Sequence, residues 1–190
     1  MFVDRNKKIS KYAKGMVLDV GYGAGNIYLR NAVGIDIEKQ KKPSNYKKVF
    51  VMDVQNMSFK ASSFDTITQG CVLAHVEDPS RLLKECRRVL KSEGRLCLTV
   101  PNPFSPLTLF TNLFFPTKPA TAKEHISVIP PRNLVRLFHH NGFEIEERIS
   151  LGIQLPIINK RISSPLFFAQ EILYILKKSE IIKDGIARLN

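Results

Sequence analysis

The sequence predicts an α/β fold built on a mostly parallel sheet. Three observations carry this prediction. Short apolar runs of strand length recur along the chain. Helical or turn-like segments separate several of them, as crossover connections require. The first run breaks into a glycine-rich bend, VLDVGYGAGN, at Val17–Asn26.

The elements follow in order. MVLDV (16–20) is a buried strand ending at glycine, NAVGIDI (31–37) a second and KKVFVMDV (47–54) a third. SFDTITQG (63–70) alternates and forms a fourth, and GRLCLTV (94–100) a fifth. Between these last two lies DPSRLLKECRRVLKSEG, where Leu82, Leu83, Cys86, Val89 and Leu90 recur at helical spacing. Asp78 or Ser80 can cap this helix, Pro79 suits its first turn, and Gly94 is expected to end it. A second helix is expected over Arg132–His140, with His139 and His140 in its last turn and Asn141-Gly142 as the stop. GFEIEERIS (142–150) then reads as a sixth strand. Farther on, SSPLFFAQEILYILKK admits two readings. Ser164 and Pro165 could open a helix, or the segment within 171–177 could be a final strand.

The chain of 190 residues is long enough for one well-buried core. No apolar run is long enough to span a bilayer, and the N-terminus lacks a signal-peptide core. Cys71, Cys86 and Cys97 form no CxxC pair, which argues against structural zinc and fits reduced thiols, with Cys97 a core residue. The expected location is therefore cytoplasmic. A formal net charge of +12 suits an anionic partner such as nucleic acid, a phospholipid surface or a phosphorylated substrate, or else simply a basic surface.

The bend after the first strand reads DxGxGxG, with Asp19 before Gly21, Gly23 and Gly25. Glycines there permit positive φ and let backbone approach a ligand closely; the plainer reading is a tight turn. A dinucleotide fingerprint would need glycine at position 26, where asparagine stands, and a phosphate loop would need Gly-Lys-Ser/Thr. The fixed charge of Asp19 disfavours a pyrophosphate and favours a ligand bearing ammonium or sulfonium groups.

VLDVGYGAGN, then VGIDI, then VMDVQNMSFKASSFD, then TQGCVLAHVEDPSRLLKECRRVLKSEGRLCLTVPNP, resembles a class I S-adenosylmethionine-dependent methyltransferase of the broad small-molecule group. The likeness runs over about residues 15–102 and resumes at EHISVIPPRNLVRLFHHNGFEIEE. It implies a Rossmann-like, doubly wound sheet of about seven strands with helices on both faces, and it favours a strand for 171–177. It also implies roles. Gly21, Tyr22, Gly23 and Gly25 would line the methionine part of S-adenosyl-L-methionine, with Asp19 orienting its amino group. Asp36 and the adjacent Ile37 would meet the ribose end. Asp53 and the Val54 backbone would meet adenine, and Gln69 the methionyl backbone. S-adenosyl-L-homocysteine would be the product. Two departures stand out. The Gly25–Asp36 segment has room for little more than two helical turns, and the N-terminal extension (1–14) is short.

Methyl transfer from a sulfonium needs alignment and water exclusion, and a base only for some acceptors. His75, after the fourth strand, and His125, after the fifth, are the candidate bases; His75 could equally be a helix-entry residue. The resemblance places a substrate lid over 101–129, where PNPFSPLTLFTNLFFPTKPATAKEH is apolar until its end. SPLFF adds a second aromatic cluster in the apolar and basic segment 151–190. A single domain over 1–190 acting on a small-molecule or amphiphilic acceptor, lipid-linked for instance, is expected, with peripheral contact to an anionic membrane as a further option. No Asn/Asp-Pro-Pro-aromatic tetrad follows the fourth strand, so RNA methylation rests on charge alone. The third alternative is a non-catalytic cofactor-binding domain.

Overall fold

The structure, a computed structural model, describes residues 5–23, 27, 29–114, 129–155 and 160–179. Its main sheet has seven strands: β1 (Val17–Val20), β2 (Ala32–Asp36), β3 (Tyr46–Val51), β4 (Phe64–Gly70), β5 (Leu90–Pro101), β6 (Phe143–Ser150) and, after a small hairpin, β9 (Glu171–Lys178). The hairpin pairs β7 (Ile153–Leu155) with β8 (Lys160–Ile162). The sheet order is β3-β2-β1-β4-β5-β9-β6. Strands β1 to β5 pair in parallel, and β9 runs antiparallel between β5 and β6. The chain leaves β1 in one direction toward β2 and β3, and later returns on its other side as β4. Ligands of open α/β sheets bind beyond the carboxyl ends of the strands at such a switch point.

Four α-helices accompany the sheet among the described residues: α1 (Arg5–Tyr12), α2 (Pro79–Val89), α3 (Pro106–Phe114) and α4 (Pro131–His140). Strand alternation sends Leu18, Val20, Ile67, Leu96 and Leu98 to one face, where they pack with Leu82, Leu83 and Cys86 of α2 and Leu134 and Phe138 of α4. Val17, Cys97, Leu173 and Ile175 point to the other face and meet Ile9 of α1. Helices thus lie on both faces, with α1 alone on the second among the described residues.

Helix α2 starts as expected. Asp78 is its N-cap, accepting from the Arg81 N–H at 3.0 Å, and Pro79 occupies the first turn. It stops five residues before Gly94, which corrects the expected end. Leu90 is already extended and pairs with Phe64, and Lys91 Nζ lies 2.8 Å from Asp65 Oδ1. Sheet pairing therefore outweighs helical periodicity here. Helix α4 ends at Asn141 and Gly142, the latter at φ +74°. The final segment is a strand, and residues 166–168 form a turn rather than a helix. All three cysteines are free thiols. Among the described residues no helix is long and apolar enough to cross a membrane, and no acid, histidine and cysteine cluster could hold a metal.

Candidate functional site

A cleft of about 550 Å³ opens at the carboxyl ends of β1, β2, β3 and β4. Gly21, Asp36, Ile37, Asp53, Val54 and His75 line it, so six of the sequence-predicted site residues converge. Backbone hydrogen bonding explains why. Gly21, at φ +64°, donates its N–H to the Ile35 carbonyl at 2.8 Å, folding the bend back onto the end of β2. A Cβ on Gly21 would sit 2.5 Å from Val72 Cγ2, so a side chain there would be strained and crowded. Gly23, at φ +49°, donates its N–H to Asp36 Oδ2 at 3.0 Å, and the Glu38 N–H donates to Asp36 Oδ1 at 3.1 Å. The Met52 N–H donates to the Asp36 carbonyl at 2.8 Å, joining the ends of β2 and β3.

The wall beyond β3 is fixed in a similar way. Asp53 Oδ1 accepts from the Gln55 N–H at 2.8 Å. Gln55 in turn accepts from the Asp78 N–H through its side chain at 3.0 Å and from Arg81 Nε through its carbonyl at 2.9 Å. Farther along this connection, Arg88 of α2 donates to the carbonyls of Phe59 and Met57 at 2.7 and 2.6 Å. Glu85, its ion-pair partner at 2.7 Å, accepts from the Met57 N–H at 2.8 Å. That pairing holds the Glu85 carboxyl below the usual carboxylate range.

Three predicted residues lie elsewhere. Asp19 is almost wholly buried on the α1 face, under the bend. Thr68 Oγ1 donates to it at 2.7 Å, and the Tyr46 hydroxyl donates to its other oxygen. Burial raises its pKa to about 6 against the pull of those two donors. Tyr22 is core on the same face; its ring packs 5.7 Å from that of Tyr46, and its hydroxyl donates to the Gln40 carbonyl. Gln69 is fully buried beside Val20 in the sheet register, and both polar atoms of its amide lack a hydrogen-bond partner within the described structure. Gly25 and His125 fall outside the described residues.

His75 is exposed in the cleft and caps a short 3-10 turn, Val72–Ala74, donating its N–H to the Val72 carbonyl at 2.9 Å. The turn begins at Cys71, whose φ is +61°. Sequence reasoning passed over Gln55, Val72 and Glu77, which also line the cleft. It also passed over Arg5. This side chain packs against Gly70 where a Cβ would stand, and its Nε lies 2.8 Å from Glu171 Oε1 without the alignment of a hydrogen bond. Its Nη2 donates to Thr99 Oγ1 at 3.3 Å. No local motif marks a contact spanning so much of the chain; the glycine at the end of β4 was the available sign.

A second cleft, of about 610 Å³, lies at the opposite ends of the strands. Its basic side chains are engaged by carboxylates or backbone carbonyls: Arg87 donates to the Gly142 carbonyl at 3.2 Å, and Lys178 donates to the Leu90 carbonyl. Lys177 lies 3.6 Å from Glu144, and Arg95 lies 2.6 Å from Glu146. The glycine bend and the strand-end acids belong to the first cleft alone.

A family model described as a methyltransferase domain matches residues 3–148. The chain belongs to this methyltransferase-domain family. Among curated relatives, a demethylmenaquinone methyltransferase of Symbiobacterium thermophilum is 30% identical over 115 residues, covering 50% of this chain and 46% of its own. A ubiquinone biosynthesis O-methyltransferase of Coxiella burnetii is 26% identical over 151 residues, covering 68% and 63%. The chain spans 41–46% of the length of four of the curated relatives it matches and 63% of the Coxiella burnetii one. A solved Thermotoga maritima structure, titled as an S-adenosylmethionine-dependent methyltransferase and possible histamine N-methyltransferase, superposes with a TM-score of 0.72 at 18% identity. It covers 92% of this chain and 87% of its own, a likeness of fold.

The cleft fits the cofactor that the family implies. The bend is open at Gly23, where an added Cβ would meet nothing within 4 Å, and two carboxylates stand at successive strand ends. The buried Gln69 amide nearby has unspent hydrogen-bonding capacity.

Proposed function

We propose that the chain transfers a methyl group from S-adenosyl-L-methionine to a small-molecule or amphiphilic acceptor. The observation that carries this reading is the convergence of Gly21, Asp36, Asp53 and Val54 on one cleft at the switch point of the sheet. The cofactor supplies an already activated methyl group on sulfonium. What remains for the chain is binding, orientation and exclusion of water. Asp36 accepts the ribose hydroxyls while Gly23 and Glu38 hold its carboxylate in place. Asp53 would accept a hydrogen bond from the adenine amino group, and the adjoining Val54 N–H would serve the same end of the cofactor. Asp19, with its oxygens engaged by Tyr46 and Thr68, lies buried under the bend, where its carboxylate would favour a cationic group bound there. His75, exposed in the cleft, is the candidate base for an acceptor hydroxyl or ammonium. The quinone-pathway relatives support an amphiphilic acceptor.

Titration calorimetry tests the binding. Heat is expected with both the cofactor and its demethylated product, and Asp36→Ala is expected to weaken binding by about tenfold or more, as loss of a charged hydrogen-bonding partner predicts. Absence of heat with either ligand defeats the reading. Labelled cofactor incubated with fractionated cell extract tests the acceptor. Label in the lipid or small-molecule fraction supports it, and label in RNA overturns the acceptor class.

A further inference from the structure

We propose that the Phe- and Leu-rich face formed by α3 and the turn at 166–168 is a docking surface for an anionic lipid bilayer. Helix α3, PLTLFTNLF, is apolar, yet none of its described side chains is buried. Phe110, Leu113 and Phe114 are 52, 75 and 60% exposed, and Phe104 just before the helix is 48% exposed. More than fifty residues later in the chain, Phe167 and Phe168 are 65 and 46% exposed. Single exposed apolar residues are ordinary, but a contiguous group of this kind marks an interaction site.

Hydrogen bonds bring the two segments together. Ser105 Oγ donates to the Phe168 carbonyl at 2.9 Å, and Asn102 Nδ2 donates to the Ala169 carbonyl at 2.8 Å. Ser105 and Asn102 are themselves buried, so the junction is part of the folded structure. The rings cluster on either side of it, with centroids 4.8 Å apart for Phe110–Phe114 and 5.3 Å apart for Phe167–Phe168.

Charge selects the occupant. Neither 101–114 nor 162–170 contains a charged residue. The sequence around them, over 101–136 and 151–170, holds Lys118, Lys123, Arg132, Arg136, Lys160 and Arg161 against Glu124 alone, in a chain of net charge +12. An uncharged apolar face on a chain of this basic composition matches aromatic insertion beneath anionic headgroups. Two copies of the chain meeting through this face would bring like charges together. The face follows the carboxyl end of β5, where Pro101 pairs with Glu171, the same end of the sheet as the cleft. Docking would therefore place the cleft's end of the molecule at the bilayer. Capture of the acceptor from the lipid phase rests on the methyl-transfer reading above; the docking itself does not.

Vesicle flotation with the full chain tests the proposal, comparing phosphatidylcholine alone with vesicles holding about 30% phosphatidylglycerol at about 0.05 M and about 0.5 M salt. Wild type is expected to float with the anionic vesicles at low salt and to dissociate at high salt. The double variant Leu113→Ser/Phe167→Ser, at two exposed positions, is expected to lose about tenfold or more in partitioning with cofactor heat and thermal midpoint unchanged. Wild type that fails to float, or a double variant that floats as well as wild type, overturns the proposal. So does light scattering that shows a dimer dissolved by the double variant, which would make this face a contact between copies. Calorimetry on the same samples separates the two readings: cofactor heat without flotation leaves methyl transfer standing and removes only the docking.

Discussion

The two faces of the sheet are buried by different chemistry. On the α2–α4 face the interior is chiefly hydrocarbon, with Leu82, Leu83, Val89, Leu96, Phe138 and Phe143 fully removed from water and Gln69 a polar exception. On the α1 face apolar side chains such as Ile9, Cys97 and Leu173 alternate with Asp19, Thr66, Thr68 and Thr99, all buried. Most of these polar groups have partners. Thr68 and Tyr46 serve Asp19, while Thr66 Oγ1 donates to the Lys14 carbonyl and accepts the Lys14 N–H. One face supplies stability through packing; the other spends burial on groups under and beside the glycine bend. Buried polar groups of this kind add less net stability than hydrocarbon, but they fix geometry.

The sharpest way to break the contrast is Phe138→Ala. It empties a fully buried site on the hydrocarbon face and should cost about 3–5 kcal/mol, read as a lower denaturant midpoint with unchanged slope. Asp19 should give the next largest effect, and one that depends on pH. Its pKa is about 6 in the fold against 3.8 as the ordinary value. The folded chain therefore binds the proton more tightly than the unfolded chain. The contribution from this group is most favourable below the ordinary value and falls as pH rises through the folded one, by about 3 kcal/mol in all. Thermal midpoints should fall between about pH 4 and about pH 6.5 in wild type, and Asp19→Asn should flatten this component. A variant with the wild-type slope would show that the carboxyl does not titrate as its burial requires. Arg88→Ala should give the smallest change in stability, about 1–2 kcal/mol after allowance for its partial exposure. It frees the Met57 and Phe59 carbonyls, so cofactor affinity should fall severalfold through the loosened Asp53 wall. Unchanged affinity would show that this wall stands without α2.

The same contrast explains what the sequence made legible. Strands β1, β2 and β4 and helices α2 and α4 were readable because apolar spacing and caps report on packing, and both recur within a few residues; β9 was ambiguous by periodicity, and only the family resemblance favoured a strand there. The strand-end acids Asp36 and Asp53 were legible through the family resemblance, which assigns roles to carboxylates at the ends of such runs. Helix α1 was not singled out: its RNKKISKY carries a single fully buried residue, Ile9, so its apolar signal is faint. The end of α2 was misjudged because Leu90 satisfies the helical stripe and the sheet equally; only its pairing with Phe64 decides, and that partner lies outside any local window. Tyr22 sits within the glycine motif, yet its ring turns into the core beside Gly34, where an added Cβ would lie 2.8 Å from it. Sequence position placed its backbone at the bend; the direction of its ring came from packing across three strands.

The position of β9 has a consequence for how the chain is made. Among the described strands it is the last in sequence, yet it lies inside the sheet and supplies the hydrogen-bonded neighbour of β6. During synthesis β6 leaves the ribosome before the strand it pairs with, and its native pairing waits until Lys178 has followed. The sheet cannot be completed before β9 is made, so the nascent protein exposes the open side of β5 throughout that interval. Pairings between distant parts of a chain form slowly, and this one makes β9 the keystone of assembly.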